Sequence, residues 1–215
     1  MLVIVTFVIA VVLAPIPAAA QNATDRTVNL ERVNVLTSPL IPESVRIGSY
    51  EKDFPQFEQH VTAPADDDWL TQVQVTFLNM TNRTVTGVLV HVDFPDTEGP
   101  QHHRMGYQFR VGETPERATY TREKLPGNVT QHPPLHAQPR GEVSIAFGPE
   151  YPAMKKFIDQ RQPMTTVHSV WVRILQVYFS DGTRWNGEYQ RPDPNDQAGY
   201  IAADPKNFRI SAPVQ

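Results

Sequence analysis

The sequence predicts a mainly β fold, an antiparallel immunoglobulin-like β-sandwich with one short helix. Apolar and polar residues alternate with a period of two along several short segments, which is typical of half-buried strands. Twenty of the 215 residues are proline, which helix interiors and central strands exclude. No helix pattern follows strand after strand, which disfavours a parallel α/β sheet. Periodicity alone does not separate a sandwich from a barrel.

The first twenty residues have the pattern of a secretory signal peptide. Leu2–Ala14 is an uncharged apolar run, and Ala18 and Ala20 supply the A-x-A cleavage pattern. An uncleaved membrane anchor is the alternative, but a spanning helix needs about 20 predominantly apolar residues, and Pro15 and Pro17 interrupt this one. We therefore expect cleavage after Ala20, no remaining membrane span, and a secreted or periplasmic protein.

The rest of the chain is predicted to form a single domain. Residues 21–43 have no stable period and are interpreted as an N-terminal tether leading into the domain, with an edge strand as one option. Residues 44–215 would form the sandwich, and Ser44–Tyr50 (SVRIGSY) alternates as its first strand. From residue 191 onward, Pro, Asn and Asp are frequent, which predicts an irregular C-terminal tail.

The clearest β pattern comes next in the chain. Gln72–Phe77 (QVQVTF) alternates strictly, and Thr84–Phe94 (TVTGVLVHVDF) resumes the alternation with Leu89 as the one apolar residue on the outer face. Asn79–Arg83 (NMTNR), between the two runs, has turn-forming composition. The sequence therefore predicts that the two runs pair as a β-hairpin.

Two more strands and the helix follow. Residues 107–111 and 142–147 alternate in the same way, and the proline-rich residues 112–140 between them are predicted to be mostly loop. In Pro149–Arg161, apolar residues recur at spacings of three and four, which predicts a short helix. This helix would cover an end or an edge of a sheet.

The longest strand pattern is Ser169–Trp185, which is rich in β-branched and aromatic residues and apolar on both faces. It predicts either a central strand buried on both sides or a bulge that switches the inward face. We expect Trp171 to pack in or beside the core. Asp181-Gly182 predicts a tight hairpin turn, after which Thr183–Tyr189 returns as the next strand.

This C-terminal hairpin carries a motif. Its residues are Val177, Phe179, Asp181, Gly182, Thr183, Trp185 and Gly187, in the pattern V-x-F-x-D-G-T-x-W-x-G. Together with the predicted 72–94 hairpin and the Asp/Pro/Asn-rich segment that follows, the motif resembles a group of secreted bacterial immunoglobulin-like β-sandwich proteins of unknown function. The resemblance implies a sandwich and no particular activity, because fold does not imply function.

Composition and motifs exclude several chemistries. The chain has no cysteine, which removes thiol nucleophiles, Cys-ligated zinc and iron–sulfur clusters. Its net charge of −4, without a basic stripe, argues against nucleic acid as a partner. It has neither the G-x-S-x-G turn of a serine nucleophile nor the glycine-rich loops that bind nucleotides. We therefore expect no enzymatic activity and no cofactor.

Loop histidines are candidate metal ligands. His102 and His103 are adjacent, and His132 and His136 are separated by Pro133-Pro134-Leu135. Imidazoles bind copper or zinc without cysteine, provided that three or four converge. The prolines prevent the helix that would place His132 and His136 on one face, so solvated loop histidines are the more ordinary interpretation.

Trp185, Tyr189 and Arg184 are candidate binding residues. They lie together in the returning strand of the predicted C-terminal hairpin, where an exposed aromatic platform would suit a sugar ring or a peptide. Packing in the core or across strands is the alternative interpretation.

These observations predict an exported, non-enzymatic protein that binds a protein or glycan partner at the cell envelope. A periplasmic metal-binding protein using the loop histidines is the alternative. A hydrolase is a third option, since acids such as those at 66–68 can face a second carboxylate across a cleft only once the chain is folded.

Overall fold

The computed structural model describes residues 23–31, 37–53, 60–100, 102–113, 134–196 and 199–209. The predicted signal peptide and His132 lie outside the described residues. Within these ranges, no helix is both long enough and apolar enough to cross a membrane.

The strands form two sheets around one hydrophobic core. Sheet A has eight strands: β1 (Thr24–Leu30), β4 (His60–Ala65), β6 (Val85–Phe94), β7 (Met105–Gly112), β9 (Ser169–Phe179), β10 (Arg184–Trp185), β11 (Tyr189–Pro192) and β12 (Tyr200–Ala202). Sheet B has four: β2 (Leu40–Ile47), β3 (Tyr50–Asp53), β5 (Val73–Asn79) and β8 (Glu142–Ala146). The predicted β-sandwich is confirmed, and its immunoglobulin-like topology stays a prediction.

The described chain contains one α-helix, α1 (Tyr151–Ile158), inside the predicted range. Pro152 lies in its first turn, where the missing N–H interrupts no helical hydrogen bond. Met154 and Ile158 face the core, and the ring of Phe157 lies 6.0 Å from that of Tyr107 on β7. The helix therefore covers the β7 edge of sheet A, as the sequence predicts.

The two runs predicted as a hairpin are both strands, but they do not pair with each other. β5 pairs with β2 and β8 in sheet B, whereas β6 pairs with β7 and β9 in sheet A. The predicted hairpin is therefore wrong, because residues 79–83 cross from one sheet to the other. The alternation of both strands is as predicted, since each buries one face in the shared core.

The crossing is built around Asn79, which is fully buried. Its Nδ2 donates to the backbone carbonyls of Arg83, Ala137 and Gln138 at 2.8, 3.0 and 3.1 Å. Its Oδ1 accepts from the backbone N–H and the hydroxyl of Thr81 at 3.0 and 2.7 Å. A buried amide requires partners for both of its ends, and here those partners come from the link itself and from the segment leading into β8.

Strand β1 lies inside sheet A, between β4 and β9. It is antiparallel to β4 and parallel to β9, so sheet A is mixed. This strand falls within residues 21–43, which are predicted to be a tether leading into the domain, with an edge strand as one option. Arg26, Val28 and Leu30 lie at alternate positions on the inward face. Because Arg26 is charged, the sequence does not show the apolar alternation that predicts a strand.

Strand β9 switches its inward face at Leu175. Val170 and Val172 are buried before this residue, and Val177 and Phe179 after it. The register with β6 shifts at the same point, which confirms the bulge alternative for this strand. The Asp181-Gly182 turn that follows connects β9 to β10 as predicted.

Candidate functional site

The predicted aromatic group does not form one exposed surface. Tyr189 is buried, and its ring stacks on Phe208 with centroids 4.3 Å apart. The guanidinium of Arg184 lies 3.8 Å from the centroid of Tyr200. Trp185 is half-buried and lines a cleft between the two sheets. Of the three candidates, Trp185 is therefore the one that lines this described cleft.

The described histidines do not come together. His102, His103 and His136 are exposed, and Nδ1 of His102 lies 2.7 Å from a Glu98 carboxylate oxygen. In the described part of the chain, no three His or acidic side chains are grouped closely enough to hold a metal ion. His132 lies outside that part, so the four-histidine hypothesis receives no support from the described geometry.

The exposed aromatic residue of sheet A is Trp171. It is 43% exposed, whereas its neighbours Val170 and Val172 are 0% and 2% exposed. The expectation that Trp171 packs in or beside the core is therefore wrong, because the two valines occupy the inward positions and direct the indole outward. On the flanking strands, Asn29 of β1 and Asp93 of β6 lie opposite Trp171.

An ion cluster adjoins Trp171 on the same face. Asp93 accepts a hydrogen bond from Arg173, and its Oδ1 lies 2.8 Å from Nε2 of His91. Glu31 lies 3.9 Å from Nε of the same arginine. Burial acts to raise the pKa of Asp93, but the hydrogen bonds and charges of Arg173 and His91 outweigh it, so the pKa lies below its usual value.

Gly106 makes room for this cluster. It lies opposite Asp93 in the ladder between β6 and β7, and a Cβ atom at this position would come within 2.7 Å of the imidazole Cε1 of His91. Any larger residue would push the ring away from Asp93. The position of the imidazole is thus set by backbone packing as well as by its hydrogen bond.

We call the surface made by Asn29, His91, Asp93, Trp171 and Arg173 the Trp171 face. It is part of a sheet, so its side chains are held in register by the strands beneath them. It offers an indole ring for stacking and a guanidinium and a carboxylate for hydrogen bonding. The ion pairs hold Arg173 in place before any ligand arrives.

Among the described residues opposite His91 in the two ladders, none is a nucleophile. In a hydrolase a pair such as His91 and Asp93 would orient a base toward a serine, threonine or cysteine. Across the two ladders, His91 instead faces Gln108 and Arg173, neither of which can attack a carbonyl.

Comparison with known proteins identifies no relative. No protein-family model, no curated protein and no solved structure matches the chain.

The sequence contained a signal for the exposure of Trp171, because Val170 and Val172 alternate with it and with Arg173. The bulge at Leu175 obscured that signal by making the whole strand look apolar on both faces.

Proposed function

We propose that this chain is an exported, non-enzymatic binding protein of the cell envelope, and that a protein partner docks on the Trp171 face. The observation that carries the proposal is that Trp171, on a central strand of sheet A, is 43% exposed. Tryptophan and arginine are the residue types most enriched among binding hot spots. Here Trp171 and Arg173 stand side by side on one strand.

The energetics favour a protein partner. At 43% exposure, Trp171 leaves about 100 Å² of accessible surface to bury, which corresponds to about 2.5 kcal/mol. Arg173 is already ordered by Asp93 and Glu31, which reduces the entropy lost when a partner binds. A rigid indole next to a preorganised guanidinium is thus suited to an apolar pocket with a carbonyl rim.

A glycan is the other partner that the sequence suggests, and the test distinguishes the two. A sugar ring would stack on the same indole and use the same charged groups. A protein partner would cover a much larger area, because stable protein interfaces bury about 800 Å² on each side. Mass and protease sensitivity of the captured species therefore separate these outcomes.

Export rests on the N-terminal pattern, and the absence of cysteine is compatible with an exported domain of this size. A secretory signal would be removed after Ala20, so the mature protein would begin at Gln21. Intact-mass measurement of the protein recovered outside the cytoplasm tests this directly. Recovery of the full-length chain in the membrane fraction would support the anchor alternative instead.

The partner site is tested by photocrosslinking in the source organism. A photoreactive phenylalanine analogue replaces Trp171 in one strain and Tyr50 in the other. Tyr50 is a matched control because it is 44% exposed and begins β3 of sheet B. We expect a discrete protein adduct from position 171 and none of the same mass from position 50.

Affinity measurements with the captured partner then test the energetics. Trp171→Ala should weaken binding roughly 30-fold, the equivalent of about 2 kcal/mol, and Tyr50→Ala should leave it unchanged. Equal adducts from both positions would count against a specific face. An adduct that resists protease and carries sugar would shift the proposal to a glycan partner.

A further inference from the structure

Sheet A divides into two branches along one edge of β9. The ladder with β1 ends at the pair Leu30–Val172, and the ladder with β10 begins at the pair Trp185–Val177. Within the described chain, residues 173–176 therefore have no ladder partner on this edge. Along this edge, β1 is parallel to β9 whereas β10 is antiparallel to it.

A cleft of about 290 Å³ lies between the two branches, beside the unpaired edge of β9, and we call it the fork cleft. Its inner surface is apolar and includes Leu40 and Phe77 of sheet B together with Ile174 of β9. Glu31 and Arg173 are its charged lining residues. Ligand pockets in proteins usually measure about 300–1,000 Å³, so this volume suits one ring or one branched aliphatic group with a small polar head.

Trp185 adds a specific polar group to this cleft. Trp185 lines the cavity, and among the described residues its buried Nε1 has no hydrogen-bond partner. A buried N–H without an acceptor is unfavourable, and native structures contain few of them. By contrast, Nε1 of the buried Trp69 donates to the carbonyl of Val167 at 3.1 Å. The unpaired donor of Trp185 is what a bound acceptor oxygen would satisfy.

The charges at the cleft define the kind of acceptor. Arg173 is already paired with two carboxylates, Asp93 and Glu31. An incoming anion would have to compete with these two carboxylates for the guanidinium. An uncharged oxygen such as a carbonyl has no such cost.

We propose that the fork cleft is a binding site for a small uncharged amphipathic molecule, whose apolar group enters between the sheets and whose carbonyl-type oxygen accepts a hydrogen bond from Nε1 of Trp185. The cleft shares Arg173 with the Trp171 face, but the described residues that line it do not include Trp171. The two proposals can therefore fail separately.

Three matched probes test the proposal on the mature protein. 2-Phenylacetamide has a ring and a neutral carbonyl, phenylacetate has the same shape with a charge, and toluene has the ring alone. Binding is followed by two-dimensional ¹H–¹⁵N NMR. The chain has three tryptophans, so it should give three indole N–H signals, and the Trp185 signal is assigned from its loss in Trp185→Phe.

We expect 2-phenylacetamide to move the Trp185 indole signal downfield and saturably, with a Kd on the order of 1 mM for a ligand of this size. The Trp69 signal should stay in place, because its N–H is already bonded inside the protein. Phenylacetate and toluene should each bind at least about threefold more weakly, for want of a neutral acceptor.

Two variants complete the test. Ile174→Phe, which places extra volume in the cleft, should abolish the titration while the protein stays folded. Trp185→Phe keeps a ring but removes the donor, and should weaken binding about threefold to tenfold, measured on the Val172 backbone amide. Trp171→Ala should leave the Kd unchanged.

The proposal is overturned if the Trp185 signal does not titrate, if Ile174→Phe binds as well as the wild type, or if phenylacetate binds more tightly than its amide. An unchanged Kd in Trp185→Phe would equally remove the indole N–H from the site. None of these results bears on crosslinking at position 171.

Discussion

The buried side chain of Asn79 offers a sharp test of how the two sheets are joined. Asn79→Ala removes five hydrogen bonds, three donated to backbone carbonyls and two accepted from Thr81. The carbonyls of Ala137 and Gln138 retain other backbone donors, Val85 and Gly141. The backbone N–H of Thr81 loses the acceptor provided by Asn79.

The magnitude follows from those contacts. Because the carbonyls keep partners, each lost bond is assigned the low end of the usual range, about 0.5–1 kcal/mol. The five together predict a loss of about 3 kcal/mol in the free energy of unfolding, which would lower the urea midpoint by roughly 1–2 M. Asn79→Asp should cost at least as much at neutral pH, because a carboxylate oxygen would then face three carbonyls.

Urea denaturation monitored by tryptophan fluorescence measures the effect. Asn82→Ala is the matched control, since Asn82 belongs to the same link but is exposed and donates one side-chain bond, to Asn207. Its expected loss is below about 0.5 kcal/mol. Similar losses in the two variants, or a loss below about 1 kcal/mol for Asn79→Ala, would refute the role assigned to Asn79.

Two further predictions concern charged groups. Arg26 is 1% exposed and donates to the carbonyl of Val167 at 2.7 Å and to Asp67 at 2.9 Å, so Arg26→Ala should cost about 2–4 kcal/mol of stability, whereas Asp67→Ala should cost less because Asp67 is exposed. Thermal unfolding of both variants checks this, and equal losses would contradict it. The lowered folded-state pKa of Asp93 means that its contribution is present above the unfolded pKa of about 3.9 and is lost as pH falls through the folded value. Wild type should therefore exceed Asp93→Asn in stability at pH 6, and the difference should shrink toward pH 2; a constant difference would show that Asp93 does not titrate in this way.

Local structure was largely predictable from local patterns. The alternation of β5, β6, β7 and β8 was visible in the sequence because each of these strands buries one face in the core and carries most of its polar residues on the other. The helix was visible from its apolar spacing, and the turn after β9 from Asp181-Gly182. These signals depend on residues within a few positions of one another.

Pairing between strands was not predictable in the same way. The link at residues 79–83 has the composition of a hairpin turn, yet Asn79 finds its acceptors at Ala137 and Gln138, more than fifty positions away. Likewise, β1 pairs with β9 in parallel across about 140 positions. A sequence pattern carries no record of such distant partners, and turn chemistry is the same whether the chain reverses within a sheet or crosses between sheets.

The candidate site shows the same division. By itself, the sequence determined that Trp171 and Arg173 share one face of a strand, because side chains alternate along β structure, and that Trp185 follows a tight turn. Only the tertiary structure decided which aromatic residues meet solvent. Phe208, brought from the C-terminal segment, stacks on Tyr189 and buries it, while the valines of β9 fill the core and leave Trp171 outside. Exposure is a property of what packs against a side chain, and that depends on the whole fold.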